Sequence, residues 1–83
     1  VENLSREEKM SLEIRNGVRL NKIQKGAFKD AGVPEGFVVT KIDKRPIYTA
    51  QEFQKIMESK KGAILIEGVD KSGKEDVFGI KLN

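Results

Sequence analysis

The most informative segment of this 83-residue sequence is Ala31-Gly32-Val33-Pro34-Glu35-Gly36-Phe37-Val38-Val39-Thr40-Lys41-Ile42. Gly32 is typical of the glycine that ends a helix, and Val33 is the apolar residue that commonly packs back onto such a helix end. Pro34-Glu35-Gly36 predicts a second turn. The segment 37–42 is rich in aromatic and β-branched residues, so it predicts a strand after that turn.

The chain before this segment predicts two short helices with a strand between them. Ser5-Arg6-Glu7-Glu8 has the spacing of a capping box, which starts a helix. We expect Met10 and Leu12 on one side of that helix and Asn16-Gly17 as the break that ends it. The next residues alternate loosely and predict a strand over 18–23, with Val18, Leu20 and Ile23 turned inward, and one or two helical turns follow before Gly32.

The chain after this segment predicts a turn, a helix and a hairpin. Residues 43–46 form the turn and Ile47-Tyr48 a short returning edge strand. Thr49 to Glu52 is a second capping box, which opens a helix of about residues 50–60 with Phe53, Ile56 and Met57 at helical spacing. Two apolar-rich strands, 63–69 and 76–82, are joined by a loop rich in turn-forming residues. The sequence therefore predicts an α+β fold in which two helices cover a small, mostly antiparallel sheet.

The amino-acid composition excludes several kinds of catalytic and metal site. The chain has 16 Lys and Arg, 13 Asp and Glu, and no Cys or His. Without Cys there are no thiol nucleophiles, disulfides or iron–sulfur ligands, and without His the usual proton shuttle and the commonest metal ligand are missing. We therefore expect a single non-catalytic domain over residues 1–83, with no cofactor and no metal.

The sequence shows no membrane anchor and no targeting signal. Its longest apolar run is Ala63–Ile66, far below the roughly 20 residues that span a bilayer. No initiator Met or signal peptide is visible, so we interpret the chain as an excised part of a larger protein. We expect no direct insertion into a membrane.

Most of the chain resembles a PDZ domain of the permuted bacterial type, and specifically the PDZ modules of HtrA/Deg-family serine proteases. Gly17–Ile23 matches the family strand G-V-x-V-x-x-V, and Gly26 opens the next turn. Ala31–Gly36 matches the turn A-G-L-x-x-G, and Phe37–Ile42 follows as the central strand. Ser5–Ile14 lies where this family inserts a small helix.

Three departures from the family pattern suggest a C-terminal PDZ copy. The segment from Gly26 to Gly32 is one residue shorter than the family's, with Phe28 in place of small residues. Phe37 replaces the Asp that normally follows the turn glycine. Asp43-Lys44 replaces the family's Asn-Gly turn.

The resemblance implies a peptide-binding role through β-augmentation, in which an extended segment adds a strand to an open sheet edge beside a helix. It also places a carboxylate-binding loop immediately before residue 1, so we expect this chain to fold but to bind free C-termini weakly. The implied receiving strand is Val1-Glu2-Asn3-Leu4. The facing helix would carry the groove residues Ala50, Gln54 and Met57.

The implied setting is an envelope HtrA/Deg-type serine endopeptidase, and thus the periplasm. The module would bind C-termini or extended segments of unfolded substrates, or mediate contacts with the protease domain, with other PDZ copies, or in a homo-oligomer. PDZ modules of other envelope proteases and secretion proteins remain alternatives.

An alternative of another class is a small basic nucleic-acid-binding domain, because the net charge is +3. Recognition of single strands requires exposed aromatic residues. Four of the five aromatics lie in or beside apolar segments, so we favour the reading without a nucleic-acid partner.

Overall fold

A computed structural model of the chain describes residues 2–20 and 26–82. Its elements run in the order β1 (Glu2–Asn3), α1 (Arg6–Ser11), β2 (Val18–Arg19), α2 (Ala27–Asp30), β3 (Val38–Ile42), β4 (Arg45–Pro46), α3 (Ala50–Ser59), β5 (Ala63–Val69) and β6 (Glu75–Lys81). The predicted Ile23 lies outside the described residues, whereas Val18 and Leu20 are buried as expected.

The strands form one antiparallel sheet in the order β1-β2-β3-β5-β6, and β4 pairs with β3 off this path. Two of its strands, β1 and β6, therefore lie at the outer ends of that order. The longest pairing joins β5 to β6, from Ala63 opposite Lys81 to Val69 opposite Glu75. The predicted α+β class with a small antiparallel sheet is confirmed, with three helices in the described part of the chain.

The core is built from alternate strand residues and one face of α3. Phe53 is the buried residue of that helix, and Ile56 and Met57 pack against the same cluster. From α2, Phe28 approaches Phe53 with ring centroids 6.0 Å apart. Burial of these side chains fixes the helices on the sheet, because removing apolar area from water is the main stabilising term in folding.

The first helix is shorter than the sequence predicts. It ends at Ser11, with Leu12 as its C-cap, well before Asn16 and Gly17. Glu13 then adopts a positive φ of 58°, which reverses the chain. Met10 and Leu12, which the sequence places on one side of this helix, have different surroundings: Met10 is 72% exposed, whereas Leu12 packs against apolar residues. A helix of six residues has room for few inward positions, and Leu12 and Ile14 instead pack on a small second apolar cluster.

The returning edge strand also lies earlier than predicted. The pairing residues of β4 are Arg45 and Pro46, opposite Ile42 and Lys41 of β3. Ile47 is buried, and its N–H donates to the Thr40 carbonyl at 3.0 Å. The strand starts earlier because the turn between β3 and β4 has only two residues.

Two backbone features shape the central strands. In the β3–β4 turn, Asp43 and Lys44 have φ values of 50° and 69°, the pair of positive angles that a two-residue type I′ hairpin turn requires. On the neighbouring strand, a Cβ at Gly68 would lie 1.8 Å from the Val38 carbonyl oxygen. Only glycine therefore permits the approach of β5 to β3 at that point.

Candidate functional site

The candidate site is the edge of the sheet formed by β1. On one side β1 pairs with β2, through Glu2 opposite Arg19 and Asn3 opposite Val18. Its other side is the end of the strand order. An edge strand presents backbone N–H and C=O groups that can pair with another chain.

The N-terminus of α3 lies directly beside this edge. The Asn3 Oδ1 atom accepts a hydrogen bond from the Ala50 N–H at 2.7 Å. Ala50 is the first residue after the N-cap Thr49, whose side chain accepts from the Glu52 N–H, while the Glu52 carboxylate accepts from the Thr49 N–H. The Ala50 N–H is one of the donors that a helix leaves without an internal partner, and Asn3 supplies that partner.

Two of the predicted groove residues lie further along α3. Gln54 and Met57 line a depression of about 300 Å³ together with Phe53 and Glu58. Gln54 is exposed, and Met57 is half-buried against the main core. The structure therefore brings Asn3 to Ala50, and Gln54 to Met57, as two contact regions on the same helix.

The other residues of the predicted receiving strand have different surroundings. Leu4 is buried with Val38 and Val69 in the second apolar cluster, so only its backbone is available to a ligand. Glu2 is exposed and forms an ion pair with Arg19 at 3.5 Å. Val1 lies outside the described residues.

A charged network braces β1 and β2 against α1. The Arg19 guanidinium pairs with the Glu8 carboxylate as well as with Glu2. The backbone N–H of Ser5, and then Arg19, hold the pKa of the Glu8 carboxyl below its ordinary value. The Glu8 carboxylate in turn raises the pKa of Arg19. Glu8 and Arg19 are therefore charged near neutral pH, and their ion pair links α1 to β2.

The sequence analysis missed a second cleft of about 370 Å³. It is lined by Glu7, Glu8, Ser11, Leu12, Arg19, Gly36, Val38 and Lys71. These residues come from α1 and its C-cap, β2, the turn before β3, the start of β3 and the loop before β6. Helical spacing relates the four residues from the region of α1, but nothing in the sequence relates them to the other four, so only the folded chain reveals the cleft.

Metal ligation, membrane spanning and exposed aromatic side chains are three further properties of the described residues. Within 2–20 and 26–82 no group of three His, Cys, Asp or Glu residues is arranged to hold a metal ion. In the same part of the chain no helix has the length and apolar character needed to cross a membrane. Among the aromatic residues only Tyr48 is a large exposed side chain, at 57% exposure.

Comparison with known proteins gives the architecture a name. No family model matches the sequence, and no curated protein matches it. Among solved structures it is similar to the crystal structure of the HtrA3 PDZ domain bound to a phage-derived ligand (FGRWV). The two share 16% sequence identity with a TM-score of 0.80, over 96% of this chain and 76% of that one.

This chain has a PDZ-like fold. The fold expected from the sequence resemblance is therefore confirmed. At this identity the likeness concerns the architecture, in which β1 is the edge strand beside α3.

Proposed function

We propose that this chain is a non-catalytic peptide-binding module that receives an extended segment between β1 and α3. The segment would add a strand to the β1 edge, so backbone hydrogen bonds would supply much of the affinity. The observation that carries the proposal is the contact of Asn3 with Ala50, because it places an open sheet edge and a helix side by side in a PDZ-like fold.

The side of α3 supplies the selectivity. The depression around Met57 has room for an aliphatic side chain, and the buried Phe53 is one of its lining residues. Met is flexible and polarisable, so it adapts to apolar side chains of different shape. We expect ligands with an apolar residue at or near the C-terminus, with Gln54 contacting the ligand backbone or a polar side chain.

The biological setting is part of the proposal. The sequence resemblance supports a PDZ copy of an HtrA/Deg-type serine endopeptidase that acts in the periplasm. Its partners would be C-termini or extended segments of unfolded proteins, the protease domain, or other PDZ copies of the same protein. The similarity in fold to an HtrA3 PDZ domain supports this setting.

A peptide titration tests the proposal. A fluorescent peptide with an apolar C-terminal residue is titrated by anisotropy as the free acid and as the amide. We expect weak binding of the free acid that decreases on amidation. Sub-micromolar binding that amidation abolishes would contradict the expected weak capture of the carboxylate.

A pair of variants on α3 locates the binding site. Met57→Ser removes the apolar wall of the depression and should weaken binding about tenfold, the effect of losing a buried apolar contact of one to two kcal/mol. Lys55→Ser changes a residue of the same helix outside that depression and should leave binding unchanged. Equal effects of the two substitutions, or none from Met57→Ser, would exclude the groove.

A further inference from the structure

The opposite end of the sheet is also an edge, and its sequence is complementary to itself. β6 is the last strand in the order and pairs only with β5 in the described part of the chain. It reads Glu75-Asp76-Val77-Phe78-Gly79-Ile80-Lys81. An acidic residue thus begins the strand and a basic residue ends it.

The hydrogen bonds show which backbone groups of β6 face away from the sheet. The Lys74 carbonyl accepts from the Asp70 N–H, and the Leu82 N–H donates to the Gly62 carbonyl, so both even-numbered residues bond toward β5. Because bonding direction alternates along an antiparallel strand, the odd-numbered residues 75, 77, 79 and 81 direct their N–H and C=O groups outward. The Val77 N–H agrees, since it bonds at 2.8 Å to the Asp76 carboxylate rather than to β5.

The outward side of the strand is accessible. Val77 is 50% exposed, and the other odd-numbered residues of β6 are exposed as well. A Cβ at Gly79 would meet no atom within 4 Å. An exposed seven-residue edge of this kind is a template for pairing with another strand.

We propose that β6 pairs with β6 of a second copy of this chain, antiparallel and centred on Phe78. A closed two-fold pairing uses the same patch on both copies, so the register must match the strand with its own reverse. Centred on Phe78, the register places Glu75 opposite Lys81 of the second copy twice, and Val77 opposite Gly79 twice. Centring on Val77 or on Gly79 would leave both charges without an opposite partner.

The central pair adds apolar contact. Phe78 is half-buried, and its ring meets the Phe37 ring edge-on at 5.3 Å between centroids. In the proposed register Phe78 faces its counterpart at a non-hydrogen-bonded position, where side chains approach most closely. The sheet would continue through both copies, with the two β1 edges left at its outer ends.

The Asp76 carboxylate makes this pairing weak. Its Oδ1 accepts a hydrogen bond from the Val77 N–H. In the proposed register this N–H would instead donate to the Gly79 carbonyl of the second copy. Pairing requires this local bond to open, so the association should appear only at high protein concentration. Asp76→Ala removes the competing acceptor and should strengthen the dimer several-fold.

Charge exchange tests the register directly. Sedimentation velocity at low salt, from about 10 µM to about 1 mM protein, should show the wild-type mass rising toward that of a dimer. Glu75→Lys and Lys81→Glu each place like charges opposite one another twice, so either should weaken the association about tenfold or more. The double variant Glu75→Lys/Lys81→Glu restores both pairs and should restore the wild-type association.

A proline substitution in β6 tests the strand pairing independently of the charged residues. Gly79→Pro removes an outward N–H without touching the bonds to β5, so the monomer should stay folded by circular dichroism while the dimer is lost. The proposal fails if wild type and Asp76→Ala are monomeric throughout, if Gly79→Pro still dimerises, or if the double charge exchange does not restore association. A mass above that of a dimer would also overturn it, because the two-fold pairing closes.

Discussion

The bond between Asn3 and Ala50 joins β1 to the start of α3, so we expect a ligand strand that enters between these two elements to displace it. Asn3→Ala removes the Oδ1 acceptor and leaves the Ala50 N–H at the start of α3 without this partner. We therefore expect opposite effects on the two properties of the protein: tighter peptide binding and lower stability.

The magnitude follows from the geometry of that bond. It is a neutral hydrogen bond of 2.7 Å in exposed surroundings, and such bonds contribute about 0.5–1.5 kcal/mol net. The free energy of unfolding should fall by about that amount in Asn3→Ala. The same energy no longer opposes the ligand, so the Kd for an apolar-ended peptide should fall about 2- to 12-fold.

Asn3→Asp is the matched variant, because it keeps an acceptor at the same place and adds negative charge at the N-terminus of α3. A carboxylate there is stabilising by about 0.3–1 kcal/mol, so unfolding should require more denaturant and the peptide should bind more weakly. Urea unfolding and anisotropy titration measure the two effects on the same samples. If Asn3→Ala binds peptide as weakly as wild type or more weakly, the bond does not close the groove and the reasoning is wrong.

Three further predictions concern the scaffold. Gly68→Ala should lower the free energy of unfolding, measured in urea, by about 3 kcal/mol or more, because its Cβ would lie 1.8 Å from a backbone oxygen of β3. Gly79→Ala is the control and should leave the stability nearly unchanged, because a Cβ there meets no atom within 4 Å. Equal losses of stability in the two variants would refute the close approach of β5 to β3 at Gly68. Lys44→Gly should raise the thermal midpoint and increase the free energy of unfolding by about 0.5–1 kcal/mol, because Lys44 has a φ of 69°, which glycine adopts with less strain. A lower midpoint would contradict this argument. The Leu65 N–H and Lys60 lower the pKa of the Asp43 carboxyl, and the pKa of the Glu8 carboxyl is also lowered. The unfolded state therefore binds more protons, and stability should fall as the pH drops below the ordinary values of 3.8 for Asp43 and 4.5 for Glu8. Asp43→Asn should make this decrease in stability with pH shallower, and an unchanged slope would contradict the role given to Asp43.

Local signals in the sequence were enough to predict the helix starts and the main strands. The capping boxes at Ser5 and Thr49 both form, because each needs only groups three residues apart. The long hairpin of β5 and β6 follows from two apolar-rich runs around a polar turn. The position of Pro46 at a sheet edge follows from its missing N–H.

Contacts between distant segments could not be read from any spacing. The end of α1 is set by the turn at Glu13, and the surroundings of the groove by Asn3 meeting Ala50, 47 residues away. The family resemblance named the candidate groove residues, but it could not say which of them would lie in contact in this chain.

The amino-acid order alone thus determined where the helices begin and that one small antiparallel sheet would carry them, because capping, turn formation and alternation act over a few residues. Folding in three dimensions fixed which strands became edges, which backbone groups those edges present, and why position 68 tolerates no side chain. These properties depend on contacts of a few ångströms between segments far apart in the chain, and patterns of neighbouring residues do not predict such contacts.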